Sequence, residues 1–357
     1  MRRLLVVDFA NIAHRAYFAG KGRNQTAPDG RPVFLVATFL RMVLARIREE
    51  QVTHVALAFE STTGSRRRDI DPAYKPRKTE EPDDLAPQMR DANVAAGRMG
   101  WARYRCEGWE ADDAMAVIAD AAVAAGFDEV LLFTADQDLL GAASDRVTVL
   151  RPMSGGIVDR YGPADVETRS PFRVPPALVA DVKALIGDSS DGYTGVQGIV
   201  PASGPALISK FGSLAALYEN IDWVGPQTVR KKLVAGREDA FRCHDLATLR
   251  RDAPLSPAFD PDAGPVGAHD PDRLASWLTA MGLPEILRTL REAASVIVAA
   301  GLARDPERLG KPVDQLLLLG IREASLRVHQ HVVPAGHLAL LDKARHVFRL
   351  LPTRGPR

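Results

Sequence analysis

The stretch that decides the fold is Leu4-Leu5-Val6-Val7, four consecutive apolar residues that end at Asp8. Two later runs have the same character: Val55-Ala56-Leu57-Ala58-Phe59 and Val130-Leu131-Leu132-Phe133. Helical patterns lie between and after these runs, at 34–47, 85–99 and 112–125. Short apolar strands alternating with helices are typical of a parallel sheet that helices cover on both faces. The beginning of the chain is therefore predicted to be an α/β domain.

Beyond Pro175 the strand signals fade, and residues 176–250 have helical patterns interrupted by glycines. Four prolines between 256 and 271 indicate an exposed linker, and two helices are expected after it, near 271–281 and 284–300. We expect three units: an α/β core over 1–174, a helical region over 175–292, and a helical extension over 293–357 whose role is unknown.

Composition excludes several classes of protein. The 357 residues include 46 Lys+Arg and 45 Asp+Glu, for a net charge of +1, and 46% are hydrophobic. These values are typical of globular proteins and exclude disorder and collagen-like repeats. Cys106 and Cys243 lack the spacing of a zinc site or a disulfide framework, which favours a reducing compartment. No signal peptide or membrane span is recognisable, so we expect a soluble intracellular protein.

Each of the three apolar runs ends in an acid. Asp8 follows the first, Glu60 the second, and Thr134-Ala135-Asp136-Gln137-Asp138 the third. One such acid is often only the N-cap of the next helix. Three together indicate a site, because ligands bind at the carboxyl ends of parallel strands.

Two further acidic groups extend this set: Glu110-Ala111-Asp112-Asp113 and Gly187-Asp188-Ser189-Ser190-Asp191. Carboxylates this numerous could not all ionise in one site without cations, because like charges raise one another's pKa. Oxygen ligands without His or Cys favour Mg²⁺ or Mn²⁺ over zinc. Two groups of carboxylates predict two ions about 4 Å apart, the arrangement that hydrolyses phosphodiesters.

The order of these motifs resembles the 5′-nuclease family, which includes the 5′→3′ exonuclease domain of bacterial DNA polymerase I and stand-alone flap endonucleases. The resemblance extends from residue 1 to about residue 292. It rests on the acidic motifs above and on three further ones: His14-Arg15-Ala16-Tyr17-Phe18-Ala19, Tyr74-Lys75 and Gly195-Val196-Gln197-Gly198-Ile199. No polymerase domain follows, so the stand-alone form is expected. The implied fold is a PIN-like nuclease core with a helical arch, at about 61–105, and a helix-hairpin-helix-like DNA-binding region.

The resemblance also implies the ligands and the activity. Asp8, Glu60, Glu110 and Asp112 would hold the first ion, with Asp113 close by. The second would be surrounded by Asp136, Asp138, Asp188 and Asp191. The implied activities are 5′→3′ exonuclease and cleavage of 5′ flaps in DNA, with two Mg²⁺ that Mn²⁺ can replace.

A basic segment coincides with the implied arch. Between 66 and 78 there are six cations and two acids, a local balance of +4. A solvated loop is the alternative interpretation. By resemblance, Lys75 and Arg67 would contact the scissile phosphate, Arg15 would lie near the active site, and Tyr74 could stack on a base. The remaining expected DNA contacts in this segment are Arg66, Arg68, Arg77 and Lys78.

The implied duplex-binding hairpin lies at about 187–212. Gly195, Gln197, Gly198 and Ile199 would bring backbone amides to duplex phosphates, and the hairpin can also hold K⁺ through its carbonyl oxygens. Two departures from the family pattern matter, the first for metal affinity and the second for duplex binding by this hairpin. Glu60 stands where the family usually has Asp, and 200–205 lacks the usual lysine and contains two prolines. The basic extension, with a balance of +5 over 301–357, could supply duplex affinity instead.

Two functions of different classes follow. The first is a Mg²⁺-dependent monomeric nuclease of the cytoplasm, associated with the nucleoid, that acts on 5′ flaps, 5′ ends and single-strand/duplex junctions in replication and repair. The second is a DNA-junction-binding protein of the same fold whose catalysis is weak or lost. A ribonuclease of the PIN type is a third alternative, which the implied arch and hairpin argue against.

Overall fold

The computed structural model describes residues 1–76 and 81–290. The strands are β1 (Arg3–Asp8), β2 (His54–Phe59), β3 (Ala102–Cys106), β4 (Glu129–Phe133), β5 (Val147–Pro152), β6 (Val158–Tyr161) and β7 (Leu255–Ser256). The helices are α1 (Phe9–Gly20), α2 (Phe34–Glu49), α3 (Arg67–Ile70), α4 (Leu85–Arg98), α5 (Ala111–Ala124), α6 (Pro163–Arg169), α7 (Val179–Ile186), α8 (Ser203–Phe211), α9 (Leu214–Glu219), α10 (Gln227–Ala235), α11 (Arg237–Ala247) and α12 (Pro271–Ala280).

The three apolar runs form the centre of one seven-stranded sheet, in the order β6-β5-β4-β1-β2-β3-β7. Strands β1 to β5 pair in parallel, whereas β6 and β7 close the two edges in antiparallel orientation. Successive side chains of a strand point to opposite faces. Leu4 and Val6 accordingly join the core under α5, and Leu5 and Val7 join the core under α1 and α2. The predicted α/β class is confirmed.

The stretch from Val179 to Ala247 is helical, as the loss of strand signals predicts. Within 61–105, the range expected to form the arch, α4 packs on α2 and 102–105 belong to strand β3. Of the described residues in this range, 61–76 and 81–84 lie outside the sheet and the helices α2 and α4. Its beginning is tied down, because Glu107 Oε2 accepts hydrogen bonds from Ser61 and Thr62.

The interpretation of 256–271 as an exposed linker is wrong. Ser256 pairs with β3, the amide of Val55 donates to Gly264 O (2.8 Å), and the amide of Val266 donates to Thr53 O (2.9 Å). Prolines are tolerated on the edge of a sheet, where one side of the backbone needs no partner. The segment therefore returns to the first domain and covers its edge.

The predicted helix at 271–281 is present as α12, and 284–290 are also helical. The basic extension over 293–357 lies outside the described residues. Among the helices that are described, none combines the length and the apolarity needed to cross a bilayer.

Candidate active site

A cleft of about 1640 Å³ opens at the carboxyl edge of the sheet. Five of the nine predicted ligands line it, and they come from four different places in the chain: Asp8, Glu60, Asp136, Asp188 and Asp191. Glu110 and Asp112 are buried beside it, at the N-terminus of α5. The parallel sheet thus brings the ends of β1, β2 and β4 together, as the sequence predicts.

The ends of β1 and β4 are joined by side chains. Asp8 Oδ2 accepts from the Thr134 hydroxyl (2.9 Å), and Asp8 Oδ1 accepts from the amide of Asn11 (3.1 Å). Asn11 Oδ1 in turn accepts from the amide of Ala135 (2.9 Å). Asp8 therefore caps α1 and also faces the cleft, so the N-cap role leaves it available to the cleft, and its role as a metal ligand stays a prediction.

The carboxylates of the cleft repel one another, and the surrounding protein shields them in part from water, although the side chain of Glu60 stays exposed. Burial raises the pKa of Asp8 to about 7, and the charge of Asp136 adds to the rise. Burial also raises the pKa of Glu60 to about 7, together with the charges of Asp112 and Glu110. For Asp136, burial and the charge of Asp112 raise the pKa as well. A cation in the cleft would favour the ionised form of all these groups.

Lys75 and Tyr74 connect the two groups of carboxylates. Lys75 Nζ lies 2.8 Å from Glu110 Oε2 and 3.8 Å from Asp191 Oδ1. The Tyr74 hydroxyl lies 3.0 Å from Glu110 Oε2 and 3.1 Å from Asp191 Oδ2. Although burial opposes it, the charge of Glu110 raises the pKa of Lys75. Lys75 is therefore a cation at neutral pH, placed between the two groups.

The expected roles of Tyr74 and Arg67 do not fit their positions. Tyr74 is 2% exposed and stacks on Tyr193, with the ring centroids 6.4 Å apart, so it has no face for a base. Arg67 is 1% exposed and holds Asp113 through two hydrogen bonds, of 2.6 and 2.8 Å. It also donates to the carbonyl oxygens of Leu246 and Thr248. Neither side chain can meet a substrate in this arrangement.

Asp113 is likewise a structural residue. Both of its oxygens are taken by Arg67, and it also accepts from the amides of Glu110 (3.1 Å) and Arg250 (2.8 Å). Its side chain is fully buried. Asp113 follows Asp112 directly in the chain, but its oxygens are turned toward the protein, and its place beside the first ion stays a prediction.

Lys183 is a residue that the sequence reasoning missed. This buried lysine of α7 forms an ion pair with Asp138 and lies 2.7 Å from Asp188 Oδ2. Its charge lowers the pKa of Asp188, against the effect of burial. The sequence contained one indication that Lys183 is buried. It lies at helical spacing from the apolar residues Val179 and Ile186, beside Val182, on the side of α7 that faces the interior.

The donor set suits magnesium or manganese in type. The chain offers carboxylate oxygens that raise one another's pKa, which is the chemistry of a hard-cation site. Among residues 1–76 and 81–290, no group of three or more Asp, Glu, His or Cys side chains is already arranged to coordinate one metal ion. Lys75 and Lys183 pair with four of the predicted ligands instead: Glu110, Asp138, Asp188 and Asp191.

The other cations of the basic segment differ in position. Arg15 and Arg68 line the cleft, and the guanidinium of Arg68 lies 3.2 Å from Lys75 O. Arg66 is exposed and lies over a tryptophan ring, 5.7 Å from its centroid. The predicted contacts Arg77 and Lys78 fall outside the described residues.

The hairpin between α7 and α8 is held by close backbone contacts. Gly195 has a φ of +66°, and a Cβ atom there would lie 2.4 Å from the amide nitrogen of Gly187. Gln197 and Gly198 are exposed, whereas Ile199 is buried and anchors the hairpin. Of the predicted duplex contacts, only the tip of the hairpin is therefore accessible.

A lysine from α10 supplies charge to this tip. Lys232 Nζ donates to Gly198 O (2.9 Å), and its side chain lies so close that a Cβ on Gly198 would be 2.9 Å from Nζ. Like charges a few ångströms apart repel by about 4 kcal/mol near a protein surface. The carbonyl oxygen of Gly198 therefore does not fit K⁺ while Lys232 occupies it.

Two family models match consecutive parts of the chain. The N-terminal resolvase-like domain of 5′-3′ exonucleases matches residues 3–170, and their C-terminal SAM fold matches residues 174–267. The chain belongs to the 5′-3′ exonuclease family.

Its similar relatives include DNA polymerases I. An enzyme of Thermus thermophilus is 34% identical over 253 residues, which are 71% of this chain and 29% of the relative. That of Thermus aquaticus is 33% identical over 307 residues, covering 86% of this chain and 34% of the relative. The enzyme of Bacillus subtilis is 30% identical, over 71% of this chain and 28% of its own. The chain thus matches about a third or less of these relatives' length.

Solved structures share the fold. The T5 5′-exonuclease with bound zinc matches with a TM-score of 0.58 and 19% identity, over 83% of this chain and all of that one. A bacteriophage T5 flap endonuclease complex with DNA and metal ions matches with a TM-score of 0.57 and 18% identity, also over 83% and 100%. The catalytic core of Rad2 with a DNA substrate matches with a TM-score of 0.53 and 18% identity, over 81% and 92%.

Proposed function

We propose that this chain is a metal-dependent 5′→3′ exonuclease and 5′-flap endonuclease that hydrolyses DNA phosphodiesters. The observation that carries the proposal is the set of carboxylates from β1, β2, β4 and the α7–α8 turn that face one cleft, with Lys75 between them. Family membership and relatives that include metal- and DNA-bound nucleases support it. We assign it to DNA replication and repair, as a cytoplasmic, nucleoid-associated monomer.

We propose two Mg²⁺ ions, which Mn²⁺ can replace. Asp8, Glu60, Glu110 and Asp112 would hold the first, and Asp136, Asp138, Asp188 and Asp191 the second. Bound divalent ions of this kind activate water and stabilise the charge that develops on phosphoryl oxygens. Asp138 and Asp188 can contribute only if Lys183, which now pairs with both, shares them.

Lys75 is the cation that we propose for the scissile phosphate. Its side chain is 35% exposed toward the cleft, and its raised pKa keeps it protonated. A protonated lysine cannot act as a general base, so its contribution is electrostatic. Arg15 and Arg68, which line the same cleft, would bind neighbouring phosphates.

For the duplex we propose the hairpin tip, Gln197 and Gly198, together with Lys232. Backbone amides and a lysine can bind phosphates without reading sequence. We assign no K⁺ to the carbonyl oxygen of Gly198, because the ammonium group of Lys232 already lies there. If no K⁺ binds there, the affinity for duplex DNA should be the same in KCl and in LiCl at the same ionic strength.

The test uses a 5′-labelled flap duplex with Mg²⁺, Mn²⁺ or EDTA. We expect metal-dependent cleavage near the junction, and Asp136→Asn should abolish it while DNA binding remains. Asp145→Asn is the matched control, since Asp145 is an exposed acid that does not line the cleft. Absence of any metal-dependent product at stoichiometric protein would overturn the proposal.

A second candidate is a DNA-junction-binding protein without efficient catalysis. The observation in its favour is the pairing of predicted ligands with Lys75 and Lys183, together with a glutamate at position 60. In the same assay it would bind the flap with an affinity that Asp136→Asn does not change, and it would leave the DNA intact.

A further inference from the structure

The cleft has a second end that the carboxylates do not occupy. Only a few large apolar side chains of the described residues are well exposed, and three of them line this cleft: Phe18 (62%), Met153 (43%) and Ile157 (63%). Phe18 belongs to α1, whereas Met153 and Ile157 come from the connection between β5 and β6. Exposed apolar side chains gathered in one cleft indicate a binding surface.

Helix α1 links the two ends. Asp8, Asn11, Arg15 and Phe18 follow one another at helical spacing of three or four residues, and all four line the cleft. With a rise of 1.5 Å per residue, Phe18 lies about 15 Å along the helix from Asp8. Stacked nucleotides are about 3.4 Å apart, so this distance corresponds to about four of them.

The ring of Phe18 is supported on one side. It makes an edge-to-face contact with Tyr17, with the ring centroids 5.2 Å apart at 87°. Tyr17 is itself buried, and its hydroxyl donates to Asp84 (2.7 Å). A buttressed ring loses little freedom when a ligand covers its open face, which makes it a good stacking platform.

Two arginines flank this ring. Arg15 lies one turn before Phe18, Arg23 lies just after the end of α1, and both line the cleft. Within 1–76 and 81–290 neither forms an ion pair with an acid. Glu81, another acid of the cleft lining, lies 3.8 Å from the imidazole of His14. An aromatic ring between unpaired arginines is the combination that single-stranded nucleic acids bind, with bases on the ring and phosphates on the cations.

We propose that Phe18 is the platform on which a base of the unpaired 5′ strand stacks, within about four nucleotides of the scissile phosphate, with Arg15 and Arg23 holding the phosphates beside it. The proposal rests on the function proposed above, because it names the part of the DNA that this end of the cleft binds. By resemblance, Tyr74 would stack on a base, but its side chain is buried and cannot do so.

The test compares Phe18→Ala and Phe18→Trp with Trp223→Ala. Trp223 is 77% exposed and does not line the cleft, so it is a matched control. Affinity is measured by fluorescence anisotropy for a duplex with a six-nucleotide 5′ overhang and for the same duplex with a blunt end, with Ca²⁺ in place of Mg²⁺. Since Phe18 is exposed, the variants should fold, and circular dichroism checks this.

For Phe18→Ala, affinity for the overhang should fall about 5- to 150-fold, while affinity for the blunt duplex stays within about twofold. Phe18→Trp should bind like the wild type, as should Trp223→Ala. A 2-aminopurine base scanned through the overhang should be quenched most within four nucleotides of the junction, and Phe18→Ala should lose that quenching. Equal losses for both duplexes, or no loss at all, would overturn the proposal.

Failure of this proposal differs from failure of the proposed function. If the wild type cleaves the flap in Mg²⁺ and Phe18→Ala binds the overhang normally, the nuclease stands and the stacking platform is wrong. If no flap is cleaved but Phe18→Ala still loses affinity for the overhang selectively, the stacking proposal is supported, and the protein binds DNA without cleaving it.

Discussion

Replacing Arg67 by methionine should lower the stability of the protein. The arginine is 1% exposed and donates two hydrogen bonds to Asp113 and one each to the carbonyl oxygens of Leu246 and Thr248. Methionine would leave the fully buried carboxylate of Asp113 without its partner. Breaking a buried ion pair from one side costs about 3–5 kcal/mol. For a chain of this size, whose entropy of unfolding is about 0.75 kcal/mol/K, that loss lowers Tm by about 4–7 °C.

Thermal and urea unfolding of the metal-free protein would measure this loss. The double variant Arg67→Met/Asp113→Asn removes the stranded charge, and its asparagine can still accept from the amide of Arg250, so we expect it to recover about half. Arg68→Met is the control, because its exposed side chain should change stability by less than about 0.5 kcal/mol. An Arg67→Met protein with the wild-type Tm and no nuclease activity would refute this reasoning and make Arg67 a phosphate contact.

Three other predictions follow from the site and the hairpin. Lys183→Met removes the cation between two acids, so the Tm of the metal-free protein should fall by at least about 4 °C, and Mg²⁺ should raise it more than in the wild type; equal Mg²⁺ effects would contradict this. Gly195→Ala should cost clearly more stability in urea unfolding than Gly212→Ala, since both have positive φ but only the former meets backbone atoms; equal losses would show that the hairpin can shift. Asp8 and Glu60 have folded pKa values of about 7, above their ordinary values, so the metal-free fold binds protons more tightly than the unfolded chain does. Protonation of these two carboxyl groups therefore stabilises the metal-free fold in acid, and this stabilisation is lost as the pH rises through 7. The Tm of the wild type should fall between pH 5 and 8, and Asp8→Asn should make that fall smaller. An unchanged dependence of Tm on pH in Asp8→Asn would exclude this cause.

The sheet and the edge at which the ligands lie could be predicted because both are encoded locally. A run such as Leu4 to Val7 is apolar on both faces, and the acid that follows it must emerge at the carboxyl edge. The carboxylates themselves indicated a hard divalent cation, whereas the DNA substrate and the ligand roles came from the family resemblance, and the individual assignments of ligands stay predictions.

The burial of the Arg67 and Tyr74 side chains could not be predicted, because it depends on partners that are distant in sequence. Arg67 contacts Asp113, 46 residues away, and Leu246, 179 residues away. A run of cations looks the same in sequence whether one of them turns inward or all face water. Lys183 was missed for a related reason: its helical spacing from Val179 and Ile186 indicates an inward-facing side chain, but its partners Asp138 and Asp188 come from other segments.

The edge strand β7 has a consequence for how the protein is made. Leu255 pairs with Cys106, which the ribosome has added 149 residues earlier. At about 5–20 residues per second, roughly 7–30 s separate the synthesis of the two partners. During that interval the edge of β3 has no neighbour, and an open edge is a template for pairing with another chain. The nascent protein thus completes its sheet only after helices α7 to α11 have been synthesised, and until then the edge of β3 can pair with another chain.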